Sequence, residues 1–351
     1  MKTVHGGLDA AELRELGLRP EQVIDFSSNI NPLGTSERVR QAAAHADLSA
    51  YPDRDCLALR EALSERLGVG IDHLLVGNGS TELIHLLARA LLREKTTVLI
   101  LGPTFGEYEA AGRLASADLQ RITARESDGF SWRLESAERV IKQVRPNLVF
   151  LCNPNNPTGL YLNGEQVEQI HAAIGPEGVL VLDDAYVSFT DEPWDSIRLL
   201  QADNVAILRS MTKDHALAGI RLGYLAANPT LIVDVSRFQP AWSVNSIALA
   251  AGLAALEDQA HIDAARVVVQ TSKAYLYEQL SDMGLGFTRS AANFLIVKVG
   301  DAREVRAGLL RRGVVVRDCS SFGMPEHIRV AVRRREECEQ LIGALRQVLE
   351  R

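Results

Sequence analysis

A lysine just after one strand-like run, two adjacent carboxylates after another, and an asparagine held between prolines are the residues here that could do chemistry. The lysine is Lys213, in Ser210-Met211-Thr212-Lys213, which follows the apolar run 205–208 and precedes Gly219-Ile220-Arg221-Leu222-Gly223-Tyr224. A lone lysine is usually a solvated surface residue. Of the six in the chain, Lys2 is terminal, Lys95 and Lys142 lie in polar surroundings, Lys273 falls on an amphipathic helix, and Lys298 alternates out of a strand. Lys213, beside two hydroxyls and an arginine, is placed for chemistry. Partly desolvated and close to other cations, its amine titrates low and can form a Schiff base with a carbonyl near neutral pH.

The carboxylates are those of Asp183-Asp184-Ala185-Tyr186, which ends the run 179–182. One must face inward, where a carboxylate is costly unless paired with a cation; Asp184 suits a solvated turn. In Cys152-Asn153-Pro154-Asn155-Asn156-Pro157-Thr158-Gly159 two X-Pro steps fix the backbone and aim one side chain. Asn156 is the candidate, its amide able to donate to a phenolic oxygen, while Asn153 and Asn155 serve the turn. Gly77-Asn78-Gly79-Ser80-Thr81-Glu82 runs from a strand into a helix start, where free N–H groups and the helix dipole hold a phosphate. Glycine turns of this kind are common in any α/β protein, so the motif alone is weak. Pro103-Thr104-Phe105-Gly106-Glu107-Tyr108 puts Phe105 where a ring could stack on a planar ligand, although a single phenylalanine is more often core.

Short apolar runs at 74–77, 97–101, 148–152, 179–182 and 205–208, most separated by helical stretches, predict a mainly parallel sheet covered on both faces. Ligands then bind at the carboxyl ends of the strands, where the polar motifs sit. After Asn245 the pattern changes to an alanine-rich helix, a long charged helix through Leu280, two or three alternating strands and a closing helix from Glu336. This predicts a second, α+β lobe, as 351 residues exceed what one core usually serves. No tract of 18 apolar residues occurs, and Met1 to Gly7 lacks a secretory run, so a soluble protein of the cytoplasm without a membrane partner is expected. Cys56, Cys152, Cys319 and Cys338 show no C-x-x-C spacing, which argues for buried thiols rather than disulfides or a metal. A net charge of −7 without a basic run disfavours nucleic acid.

Taken in order, G-N-G-S-T-E, N-P-N-N-P-T-G, D-D-A-Y, S-M-T-K and G-I-R-L-G-Y resemble the fold-type I pyridoxal-phosphate (PLP) enzymes of the aspartate aminotransferase superfamily over nearly the whole chain. The resemblance implies an α/β fold with a large domain built on a mainly parallel seven-stranded sheet plus a smaller α+β domain. Residues 1–45 would form an N-terminal arm and part of the small domain, 46–245 the PLP-binding domain, and 246–351 the rest of the small domain. It further implies pyridoxal 5'-phosphate as cofactor, Lys213 as the Schiff-base lysine, and Asp183 as partner of the pyridinium nitrogen. Asn156 and Tyr186 would bind the ring hydroxyl and Phe105 would stack on the ring. Ser80, Thr81, Ser210, Thr212 and Arg221 would hold the phosphate, with Tyr51 reaching it from the second subunit of a homodimer. His5, Asn29, Arg317 and Arg329 would bind a small, phosphorylated amino acid substrate.

Within the superfamily, His5-Gly6-Gly7, the segment Phe26 to Gly34 and Trp242-Ser243-Val244-Asn245 look like the threonine-phosphate decarboxylases of cobalamin side-chain synthesis. Leu8-Asp9 departs from that pattern, and Arg333-Arg334-Arg335-Glu336-Glu337 is similar to the histidinol-phosphate aminotransferases. Decarboxylation of threonine phosphate is thus the expectation, transamination of histidinol phosphate the alternative, and a specialised lyase or cyclase a third reading. A non-enzymatic sensor role is disfavoured, because no helix-turn-helix extension is present.

Overall fold

The computed structural model describes residues 6–349. Its strands in chain order are β1 (Ile24–Asp25), β2 (Leu74–Gly77), β3 (Thr97–Gly102), β4 (Asp118–Thr123), β5 (Leu148–Cys152), β6 (Val179–Asp183), β7 (Val205–Ser210), β8 (Gly223–Ala227), β9 (Phe294–Lys298), β10 (Val314–Val315), β11 (Arg317–Asp318) and β12 (His327–Ala331). Seven of them form one sheet in the order β2-β8-β7-β6-β5-β3-β4, in which β8 runs antiparallel to both neighbours and every other pairing is parallel. β3, β5, β6 and β7 are sheathed on both faces, which explains their unbroken apolar runs. One face packs on the helix Gly79–Leu91, the other on the helix Gly164–Ile174.

Two of the seven strands carry no such run. β4 lies at the sheet edge with no fully buried residue, so its sequence DLQRIT reads as polar. β8 is buried throughout but opens directly from the Gly219–Tyr224 motif, which conceals it as a strand. No helix among the described residues is long and apolar enough to cross a membrane, and all four cysteines are free and buried.

The second core gathers around the antiparallel sheet β11-β12-β9, the long helix Gln259–Asp282 and the helices Ala302–Leu310 and Arg335–Leu349. Phe26 from the N-terminal region is completely buried in it, and β1 pairs in parallel with β10. The backbone N–H of Ala331 donates to the carbonyl of Phe26, so residues 24–31 are stitched to the strand that carries Arg329. By contrast, the alanine-rich helix Ser246–Leu256 buries Ala248, Ala251 and Ala255 against Leu59, Leu63 and Leu74, on the side of the large sheet.

Lys273 departs from its expected surface position. It is 5 % exposed, and its ammonium donates to the carbonyls of Ser290 (2.9 Å) and Ala292 (3.4 Å). Burial lowers its pKa. The long helix packs on the second core along most of its length, and lysine's stem follows that surface while its head finds two backbone acceptors.

Candidate active site

The carboxyl ends of β5, β6 and β7 open onto a cleft, and the segments that leave them supply its walls. Ser80, Thr81, Phe105, Tyr108, Cys152, Asn156, Asp183, Tyr186, Ser210, Thr212, Lys213 and Arg221 line one continuous pocket there. Every cofactor residue expected from the sequence except Tyr51 is in that lining.

Asp183 and Asp184 follow the pleat to opposite faces of the sheet. Asp183 is 3 % exposed; its Oδ2 accepts from the Tyr108 hydroxyl at 2.7 Å and its Oδ1 from the Ala185 N–H at 3.0 Å. Burial pushes its carboxyl up to about 6, against the Tyr108 hydrogen bond. The solvated turn expected for Asp184 is not found: it is buried on the far face, held by Arg209 at 3.1 Å and by the Ser196 hydroxyl. Both carboxylates are buried, Asp183 at the floor of the pocket and Asp184 behind the sheet.

Lys213 sits in the short helix Met211–Asp214 that follows β7, half-buried, with its amine 6.0 Å from the centre of the Tyr186 ring. Burial, Arg329 and Arg221 together bring its pKa down to about 8. Tyr186 is pushed up to about 12, chiefly by burial, and accepts a long hydrogen bond of 3.4 Å from Asn29 Nδ2.

An anion cradle lies beside the lysine. The helix Gly79–Leu91 starts here without a side-chain cap from Asn78, leaving first-turn N–H groups for an acceptor. Ser210 and Thr212 share a hydrogen bond of 2.7 Å, and Arg221 has a left-handed backbone with φ of 65°. Gly79 is favoured by its φ of +75°, and a Cβ there would lie 2.5 Å from the Arg221 guanidinium and displace it. Gly223 likewise lets β8 approach, since a Cβ there would fall 2.7 Å from the N–H nitrogen of Ser80.

The proline-bound loop brings Asn156 into the pocket lining. Asn153 brackets Leu162 with two hydrogen bonds and Asn155 ties Pro103 to Thr158, so both serve the turn. Asn156 Oδ1 accepts from Arg329 Nη1, and Arg329 Nη2 donates to the Ser27 carbonyl at 2.6 Å. Arg317 stands opposite Arg329 across the β11–β12 pair, donates to Ser321 Oγ at 2.6 Å and packs over the Phe322 ring. Both arginines, with Gly6, Ser28, Asn29 and Phe322, line a neighbouring cavity of about 390 Å³ that opens onto Lys213. His5 lies outside the described residues. Tyr51 is not brought to the pocket; it is 81 % exposed and stacks on Trp242 with centroids 4.7 Å apart. Asp9, the residue that departed from the decarboxylase pattern, caps the helix Ala10–Glu15.

The sequence profile of the family described as aminotransferase class I and II matches residues 21–345. The chain belongs to this family. Membership carries with it the fold-type I architecture and pyridoxal 5'-phosphate as cofactor. A histidinol-phosphate aminotransferase of Symbiobacterium thermophilum is 38% identical over 341 residues, 96% of this chain and 92% of the relative. The structure of a Sinorhizobium meliloti histidinol-phosphate aminotransferase in complex with pyridoxal-5'-phosphate superimposes with a TM-score of 0.88 at 24% identity, covering 100% of this chain and 95% of that one. An L-threonine-O-3-phosphate decarboxylase from Porphyromonas gingivalis shares the fold at a TM-score of 0.81 and 25% identity, with 93% of this chain and 99% of that one covered.

These relatives correct the decarboxylase expectation. Curated relatives at 33–38% identity over 96% of the chain are histidinol-phosphate aminotransferases. The decarboxylase likeness rests on three short segments, His5-Gly6-Gly7, Phe26 to Gly34 and Trp242–Asn245, while the wider sequence follows the aminotransferases.

Tyr108, Arg209, Ser196 and Phe322 are the site residues that motif reading missed. Tyr108 lies in the first turn of the helix Glu107–Leu114, and its ring meets that of Phe105 edge-on with centroids 5.7 Å apart. Arg209 and Ser196 have no motif signal, because they meet Asp184 on the face of the sheet away from the pocket.

Proposed function

We propose that the chain is an aminotransferase exchanging the amino group of histidinol phosphate with 2-oxoglutarate. The pocket residues fit the family's cofactor: a buried carboxylate, Asp183, has no ion-pair partner among the described residues, and a lysine of lowered pKa stands beside an uncapped helix start. When bound, pyridoxal 5'-phosphate supplies a carbonyl for amine exchange and an electron-poor ring that takes up the electrons of a broken Cα bond.

In this reading the protein's residues divide the work. Asp183, ionised above about pH 6, holds a proton on the ring nitrogen. Asn156 Nδ2 and the Tyr186 hydroxyl hold the ring oxygen, and Phe105 covers one ring face. Ser80, Thr81, Ser210, Thr212 and Arg221 hold the phosphate with the N–H groups of the helix start. Lys213 Nζ, partly neutral near physiological pH, takes the proton from the substrate Cα and returns it on the other side of the exchange. Arg317 and Arg329 bind the phosphate of one substrate and a carboxylate of the other. Tyr51, exposed on a single subunit, reaches the phosphate of a partner in a homodimer.

The paired arginines carry the reading, because Asn156 and Ser27 fix Arg329 at the edge of the cofactor pocket. An anion held there would fix the substrate by one end, and because histidinol phosphate has no carboxylate on Cα, Cα–H would be the bond presented for the exchange. The decisive assay is a substrate panel with and without 2-oxoglutarate. Glutamate should form from histidinol phosphate only when the keto acid is present. Carbon dioxide release from O-phospho-L-threonine without a keto acid would overturn the proposal.

A further inference from the structure

Behind Asp183, on the opposite face of the sheet, lies a second charged cluster that the reaction does not touch. Asp184 is 2 % exposed and directly follows Asp183 in the chain. Its Oδ2 receives Arg209 Nη2 at 3.1 Å and the Ser196 hydroxyl, and Arg209 Nη2 also reaches Ser196 Oγ at 2.9 Å. Arg209 precedes Ser210 of the anion cradle and stands opposite Tyr224 in β8. The pleat therefore turns Asp183 and Ser210 to the cofactor and Asp184 and Arg209 away from it, two residue pairs on two adjacent strands.

We propose that Arg209 and Asp184 are positioning residues that act through Asp183: their mutual neutralisation leaves Asp183 as the one uncompensated charge at the ring nitrogen. Two carboxylates at one buried strand end oppose each other's ionisation. An unpaired Asp184 would favour the protonated form of Asp183, and an unpaired Arg209 would favour its ionised form and repel a proton from the pocket. Ser196, donating to Asp184 and accepting from Arg209, keeps the pair in register. The groups electrostatically coupled to Asp183 are Tyr108, Cys152, Tyr186, Lys213 and, through the strand, Asp184; those coupled to the pair are Tyr161, Asp195, Asp214 and Tyr224. Of all of these, Arg209 is the cation paired with Asp184.

This inference rests on the proposed PLP site, and one titration separates the two. The parent protein loaded with pyridoxal 5'-phosphate should show a visible absorbance band that changes with pH. Absence of a band displaced by Lys213→Ala would sink the site assignment itself. Given the band, Asp184→Asn leaves Arg209 uncompensated and should lower the midpoint by about one pH unit, a tenfold change in proton affinity. Arg209→Gln leaves Asp184 uncompensated and should raise it, while Arg209→Lys should stay near the parent. Loosening of the fold would not give shifts of opposite sign, and either single variant that folds decides by its direction. Midpoints that coincide with the parent, or that move the same way in both variants, would overturn the role.

Discussion

The two ends of the active-site cleft are built differently. At the cofactor end, each wall is a short stretch of chain leaving a strand of one sheet, so neighbours in sequence are neighbours in the pocket: Asp183 with Tyr186, Ser210 with Thr212 and Lys213. At the substrate end, Gly6, Ser27 to Asn29, Arg317, Phe322 and Arg329 meet from opposite ends of the chain, held by the Phe26–Ala331 backbone bond and the Arg329–Ser27 contact. The first end is fixed by secondary structure and the second by how two cores pack. Chemistry common to a family can be written into local motifs, whereas substrate choice depends on long-range placement.

Substitutions at the two ends should therefore fail in different ways. The largest effect is expected for Lys213→Ala, with turnover falling by about 10³-fold or more because the proton carrier at Cα is lost. Borohydride reduction of the parent should attach the cofactor to Lys213 and leave the buried Lys273 unmodified, as read by peptide mass spectrometry. A label on Lys273 would show that a lowered pKa alone, without strand-end placement, makes the reactive amine. Next comes Asp183→Asn, which should retain cofactor but lose about 3–5 kcal/mol of stabilisation at the ring nitrogen, seen as reduced kcat at little-changed KM. A rate within a few-fold of the parent would break the distinction from the cofactor side.

At the substrate end the expected losses are smaller and lie in binding. Arg329→Gln should raise KM for both substrates, each by the equivalent of about 1.5–3 kcal/mol for a charged hydrogen bond. Arg317→Gln should spare one substrate and weaken the other, which would sharpen the division between the arginines. The smallest effect concerns pH. The rate at which cofactor-free protein captures pyridoxal 5'-phosphate should rise with pH and level off above about 8, since the neutral amine of Lys213 is the attacking form and burial has lowered its pKa to that value. A stopped-flow pH series checks this, and a midpoint near the ordinary lysine value would mean that the pocket does not desolvate the amine.

Reading by motif was strong where a strand end delivers a side chain and weak elsewhere. Lys213, Asp183, Asn156 and the glycine turn were legible because apolar runs and prolines mark both their position and their facing. Asp184 and Lys273 are charged side chains that sequence alone assigns to solvent, and their partners, Arg209 and two backbone carbonyls, come from other segments. β4 and β8 escaped because edge exposure and a glycine-rich entry erase the apolar run that the other strands show. The substrate preference was not legible because three short segments point one way and the likeness spread over the remaining chain points the other.

The interlock between Phe26 and β12 also has a meaning for the chain as it leaves the ribosome. Domains generally fold as units, beginning from the N-terminal side during synthesis. All strands of the large sheet and every described residue of the cofactor cradle precede Pro229, so the cradle residues are all synthesised before the second core. Residues 24–31 emerge earlier still, yet their partners β10 and β12 are made last. Through most of translation Phe26 waits without its core, and the arginine side of the pocket is the final part to form.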